Sequence, residues 1–230
     1  MEDFVAFVCL ANSRKNHDRC VAGIDLETGN WVRLVRDRRG SALQYRQVCY
    51  IEGEELEPLD IAAVMIAHKA PLYFQPENVV IDNTCSMFWH GKMPVDKLDN
   101  YCTKETYLWG DNSDRIPAAD LEQYAGRPGY PGSLQLIKVN DIGIEKMWYS
   151  GKYHLRAIFN YKGNIYNLAI TDPLLERVFL IPGVPAKRYL FPYNCYLTVS
   201  LGECFGGYHY KLVAAVIACG RDGKVIELQP

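Results

Sequence analysis

The chain is short of positive charge, of long apolar runs and of every compact signature that marks a common cofactor site. Its 230 residues carry a formal net charge of −2. That is too little basic excess for a protein that coats nucleic acid along its whole length by displacing counterions. No apolar run approaches the roughly 18 residues that a membrane helix needs, and the opening Met1-Glu2-Asp3 is acidic where a secretory leader would be basic. A cytoplasmic protein with no membrane partner is expected. The eight cysteines, at 9, 20, 49, 85, 102, 195, 204 and 219, include no Cys-x-x-Cys pair and mostly sit inside apolar runs, so buried, reduced thiols are expected in place of a disulfide framework. The histidines at 17, 68, 90, 154 and 209 show no metal-ligand spacing. No phosphate loop, dinucleotide-binding glycine motif or nucleophile elbow is present. No metal, no cofactor and no catalytic residue is therefore nominated.

What the chain does have is β-forming sequence in two blocks. At 49% apolar and 23% charged it is an ordinary globular composition, long enough for two small cores. Residues 4–10 and 20–26 are rich in Val, Ile, Phe and Cys, which suit pleated, buried strands. Between them lies Asn12-Ser13-Arg14-Lys15-Asn16-His17-Asp18-Arg19, which reads as an exposed cationic loop. Glu27-Thr28-Gly29-Asn30 carries a Gly-Asn pair suited to a tight turn, so residues 31–35 should return antiparallel. Residues 61–67 predict another buried strand, and Val79-Val80-Ile81 follows the turn set by Pro76. Residues 83–124 are irregular, with short helices expected over 94–101 and 118–124.

Gly126-Arg127-Pro128-Gly129-Tyr130-Pro131-Gly132 is the strongest break in the chain. It predicts an N-terminal barrel with an irregular connector over residues 1–125, a linker over 126–132 and a C-terminal barrel over 133–230. Strands are expected at 133–139, 153–161, 164–171, 196–201 and 210–218, with a hairpin turn at Lys162-Gly163-Asn164. Thr171-Asp172-Pro173 reads as a helix start, with Asp172 as the cap and Pro173 in the first turn. A short helix between strands fits small five-stranded Greek-key barrels, so the expected fold is mainly β with short helices, as two tandem OB-like β-barrels.

The residues 9–25 CLANSRKNHDRCVAGID, then WVRLV, QPENVVID, LIKV, RAIFNYKGNIYNLAITDP and YLTVSLGECFGGYHYKLVAAVI together resemble the dual OB domain family of prokaryotic proteins. The resemblance spans nearly the whole chain, and the order of the blocks is more specific than any one of them. It implies two tandem OB barrels and a nucleic-acid-binding role, often in antiviral defence. It brings no catalytic residue.

The residues suggest where a ligand would sit. Between positions 13 and 50 there are eight basic residues against four acidic ones, and Glu52, Glu54, Glu55, Glu57 and Asp60 then reverse the sign. OB barrels bind ligands across their second and third strands and the flanking loops, using cations that follow the backbone and aromatic rings that stack on bases. Ser13, Arg14, Lys15, Arg19, Trp31, Arg33 and Arg36 are candidates in the first barrel, and Arg156, Tyr161, Tyr210 and Lys211 in the second. The structural alternatives are that Trp31 fills its barrel, that the tyrosines are core, and that the loops of opposite charge touch each other. The partner expected is a nucleic acid or a nucleotide. An alternative is an enzyme or effector acting on one, with Ser200, Glu203, His209 and Lys211 gathered by a flexible glycine-bearing loop. A protein-interaction module is a third, because fold does not fix function.

Overall fold

The structure is a computed structural model that describes residues 3–15, 17–50, 53–220 and 222–226. The chain forms two compact units, Met1–Lys97 with Ala125–Ser133, and Leu98–Tyr124 with Leu134–Pro230. The connector expected with the first barrel thus divides: residues 98–124 pack with the second unit, while the Gly/Pro stretch packs with the first. Hydrogen bonds account for both placements. Tyr130 donates its hydroxyl to the Phe74 carbonyl at 2.8 Å, and the Thr103 amide donates to the Leu136 carbonyl at 2.8 Å.

In the first unit β1 (Asp3–Lys15), β2 (Asp18–Asp25), β3 (Trp31–Val35), β4 (Asp60–Lys69), β5 (Asn78–Ile81) and β6 (Phe88–Lys92) form one sheet. Its first five strands close in the order β1-β2-β3-β5-β4-β1. All the pairings in that ring are antiparallel except β3 with β5. This is the connectivity of a five-stranded Greek-key barrel. Alternation fills it: Val5, Phe7 and Cys9 of β1 join Val21, Val32, Leu34, Ala62, Val64, Val79 and Ile81 in one core. β1 serves two neighbours because a bulge between Cys9 and Ala11 bends it. Opposite the bulge stands Gly23, where a Cβ would lie 2.0 Å from the Val8 carbonyl oxygen.

The second unit repeats the plan. It contains β7 (Arg115–Pro117), the helix α1 (Ala118–Ala125), β8 (Leu134–Tyr149), β9 (Lys152–Tyr161), β10 (Asn164–Ile170), α2 (Pro173–Phe179), β11 (Arg188–Phe205) and β12 (Tyr208–Cys219). The ring runs β8-β9-β10-β12-β11-β8 and again closes through a parallel pair, β10 with β12. Tyr166 shows how the interior is satisfied. It is fully buried, stacks on Phe159 with centroids 5.5 Å apart, accepts from the Leu108 amide at 3.0 Å and donates to the Asp111 carbonyl at 3.2 Å. α2 starts as its sequence predicts: Asp172 Oδ1 accepts from the Leu174 and Leu175 amides. The second carboxylate oxygen accepts from the Val216 amide at 2.8 Å, tying the helix to β12.

Several elements differ from expectation. β1 and β2 run on through the polar stretch, so residues 12–20 are mostly strand, with Ser13 opposite Cys20, Arg14 opposite Arg19 and Lys15 opposite Asp18. Ladder hydrogen bonds come from the backbone, so a polar sequence can still pair; Asn16 lies outside the described residues. The helix expected over 94–101 is a 3-10 turn over Val95–Tyr101. β6 and β7 arise in the stretch read as irregular. None of the eight cysteines is in a disulfide; Cys9, Cys195 and Cys219 are buried, while Cys85 and Cys204 are exposed.

Candidate nucleic-acid interface

In the first barrel most of the nominated cations are engaged with acids of the same unit. Arg19 Nε is 2.6 Å from Glu55 Oε1, and its guanidinium lies over Tyr45, 5.6 Å from the ring centroid. The acidic stretch and the basic hairpin therefore do touch. Arg36 reaches Asp18 at 3.8 Å. Arg33 is buried: Nε is 3.2 Å from Glu77 Oε1 and Nη2 donates to Ser133 Oγ at 2.8 Å. Ser133 in turn donates its hydroxyl to Glu77. Arg33 is thus half of an interior ion pair and not a ligand contact, since a charge taken from water persists only with such partners. Ser13 is also buried and donates to the Cys20 carbonyl. Trp31 is half-buried at the start of β3, and Arg14, Arg38, Arg39 and Arg46 are exposed.

The second barrel makes two similar corrections. Lys211 is 1% exposed, with Nζ 2.7 Å from Asp111 Oδ1 and 3.0 Å from the Asp111 carbonyl. Burial lowers its pKa, and the Asp111 carboxylate opposes that. Tyr161 is buried and donates to the Thr103 and Glu105 carbonyls at 3.2 and 2.9 Å. Neither side chain presents a face to a ligand. The residues proposed as a catalytic gathering lie on regular structure. Residues 200–211 belong to a β-hairpin turned by Gly206 and Gly207, both at positive φ, with no flexible loop among them. His209 Nδ1 lies 2.8 Å from the Gly202 carbonyl, Lys211 is committed to Asp111, Ser200 is buried and Glu203 is exposed.

An aromatic and cationic cluster stands at the turn between the fourth and fifth strands of the second barrel. Tyr208 and Tyr210 point to one side of β12, and β7 brings Arg115 opposite Tyr210. The Arg115 guanidinium carbon is 5.4 Å from the centroid of each tyrosine ring, and Nη1 donates to the Tyr210 hydroxyl at 3.3 Å. That hydroxyl, and then the Asp114 carboxylate, raise the Arg115 pKa further, so the cation persists at any working pH. Phe205, beside the turn, is 77% exposed. Arg156, on the outer side of β9, is held by Asn167 Oδ1 at 2.6 Å and by Asp114 Oδ2 at 3.1 Å. The turn between β8 and β9 carries a second exposed group, Trp148 and Tyr149, with Trp148 edge-on to Tyr153 at 4.7 Å.

Arg115, Phe205 and the Trp148-Tyr149 pair were not nominated from the sequence. A signal was available: aromatics directly flanking Ser150-Gly151 or Gly206-Gly207 sit at hairpin tips, beyond the reach of a core. Among the described residues no group of side chains could hold a metal ion, and no helix is long and apolar enough to cross a membrane.

Two closed five-stranded barrels with OB connectivity, one carrying this exposed cluster, define a tandem OB-fold protein. Residues 5–216 match the family described as the dual OB-containing domain, and the chain belongs to that family. No curated protein matches the sequence. Among solved structures it is similar to the tetrameric p202 HIN2, at 9% identity and a TM-score of 0.32 over 99% of this chain and 96% of that one, a likeness too slight to carry fold or function across.

Proposed function

We propose that the protein binds a short stretch of single-stranded nucleic acid, or a nucleotide, on the second barrel. The observation that carries this is Arg115, held 5.4 Å from the rings of both Tyr208 and Tyr210 beside the exposed Phe205. Bases stack on exposed aromatic rings and on guanidinium planes, at about 1 to 3 kcal/mol per base, and an isolated stack of this kind favours unpaired bases. The cluster also lies at the strand-four to strand-five turn, one of the loops with which OB folds take their ligands. Following the family resemblance, we place this binding in prokaryotic defence; the cytoplasm is the setting we propose from the sequence itself, and a protein partner is part of the proposal.

Fluorescence anisotropy with labelled single-stranded RNA and DNA tests the assignment. Arg115→Ala and Tyr208→Ala should each weaken binding by about 5- to 50-fold, in line with the loss of one stacked base. Arg14→Ala, in the other barrel, should change it little. Unaltered affinity in both Arg115→Ala and Tyr208→Ala would remove the cluster from consideration.

A further inference from the structure

We infer that Arg115 and Arg156 form a two-arginine seat for one phosphate group of the bound strand, and that the carboxylate of Asp114 occupies this seat in the free protein. The inference rests on the nucleic-acid reading above. Asp114 Oδ1 is 3.1 Å from Arg115 Nε, and Oδ2 is 3.1 Å from Arg156 Nη2. Each oxygen faces a different guanidinium. A phosphodiester offers the same pair of anionic oxygens, and planar guanidiniums bind either group in this way.

The seat does not depend on its occupant. Arg156 is also fixed by the Asn167 side chain and by the Asn167 carbonyl. Arg115 is fixed by the Tyr210 hydroxyl and the two rings. The main chain of Asp114 is anchored separately, its carbonyl accepting from the Lys211 amide at 2.9 Å. The carboxylate can therefore swing out while both arginines stay in place. Access decides that it can be displaced: the side chains of Asp114, Arg156 and Arg115 are 29%, 25% and 47% exposed, against 8% and 6% for the Arg33–Glu77 pair. A half-exposed carboxylate that leaves is rehydrated, whereas a buried one is not. Asp114 thus acts as an internal competitor. A bare anion gains little by replacing it, but a nucleotide that also stacks on Phe205 or Tyr208 gains more.

The test uses the full chain, a fluorescein-labelled single-stranded oligonucleotide of about 15 nucleotides, and a matched oligonucleotide with an uncharged methylphosphonate backbone. Asp114→Asn, and Asp114→Ser as a second variant, should tighten binding of the phosphate oligonucleotide by about three- to tenfold at low salt and steepen its salt dependence. The gain should vanish with the uncharged backbone and in Asp114→Asn combined with Arg156→Gln. Affinity equal to or below wild type in both Asp114 variants, or a gain that persists on the uncharged backbone, overturns the seat. Failure of the underlying nucleic-acid reading looks different: wild-type binding then survives Arg115→Ala and Tyr208→Ala. No binding by wild type and variants alike overturns both.

Discussion

Glu77 draws three interior donors to one carboxylate. It accepts from Arg33, from the Ser133 hydroxyl and from the Ser133 amide, and it is itself buried. Removing it would strand the Arg33 guanidinium without a counter-charge. Glu77→Ala should therefore cost about 3 to 5 kcal/mol in urea unfolding. Replacing both partners by Met should recover much of that loss, because a well-packed apolar pair escapes the desolvation cost. A double variant no more stable than Glu77→Ala would show that the pair contributes attraction beyond mutual neutralisation. Residue-scale detail of this kind was poorly legible in the sequence. Arg33 and Lys211 carry the charge a phosphate contact needs, but their carboxylates stand 44 and 100 positions away, at Glu77 and Asp111. A cation on its own looks the same whether it awaits a ligand or already has a partner. Arg156 kept its exposure, and so stayed a candidate, because its partner Asp114 lies at the rim.

Elements were far more legible, because turn and cap chemistry is local. Lys162-Gly163 turns β9 into β10, and Asp172-Pro173 starts α2 where the sequence places it. Strand ends are less legible where the chain outruns its apolar run, as in β1 through Asn12, whose side-chain amide donates to Glu55 and to the Leu56 carbonyl. Asp172 offers a test at this scale. Asp172→Ala removes the helix cap and leaves the Val216 amide without its acceptor, for a combined loss of about 2 to 4 kcal/mol at pH 5. Burial pushes the Asp172 carboxyl up to about 6, against the pull of its three backbone amides. A raised acid stabilises the fold fully below its unfolded pKa of about 4 and loses that contribution as pH rises through its folded value. The advantage of wild type over Asp172→Ala should therefore shrink between pH 4 and 7, by about 2 to 3 kcal/mol. An advantage that holds constant or grows over that range would show that the amides outweigh burial.

At the scale of the whole molecule, a net charge of −2 sets how binding should respond to salt. The proposed seat engages two cations, Arg115 and Arg156, so few phosphates are neutralised. The slope of log affinity against log salt should be about −1 to −3 for single strands, far from the steep values of proteins that follow a long duplex. Anisotropy titrations across a range of potassium chloride would measure it, and a slope steeper than about −5 would mean that a much longer track of backbone is engaged. Both barrels close by one parallel contact, and this has a mechanical consequence. In the second barrel only Ala169 with Leu212 and Ile170 with Val213 are in register across that contact, extended by the Thr171 amide on the Val213 carbonyl. The neighbouring pair, β11 with β12, runs in register over most of its length. A cylinder tears along its shortest weld, so thermal opening of this barrel begins between β10 and β12. The rest of the wall then peels away as one curved sheet, and the Tyr208–Arg115–Tyr210 cluster stays intact until β7 lets go.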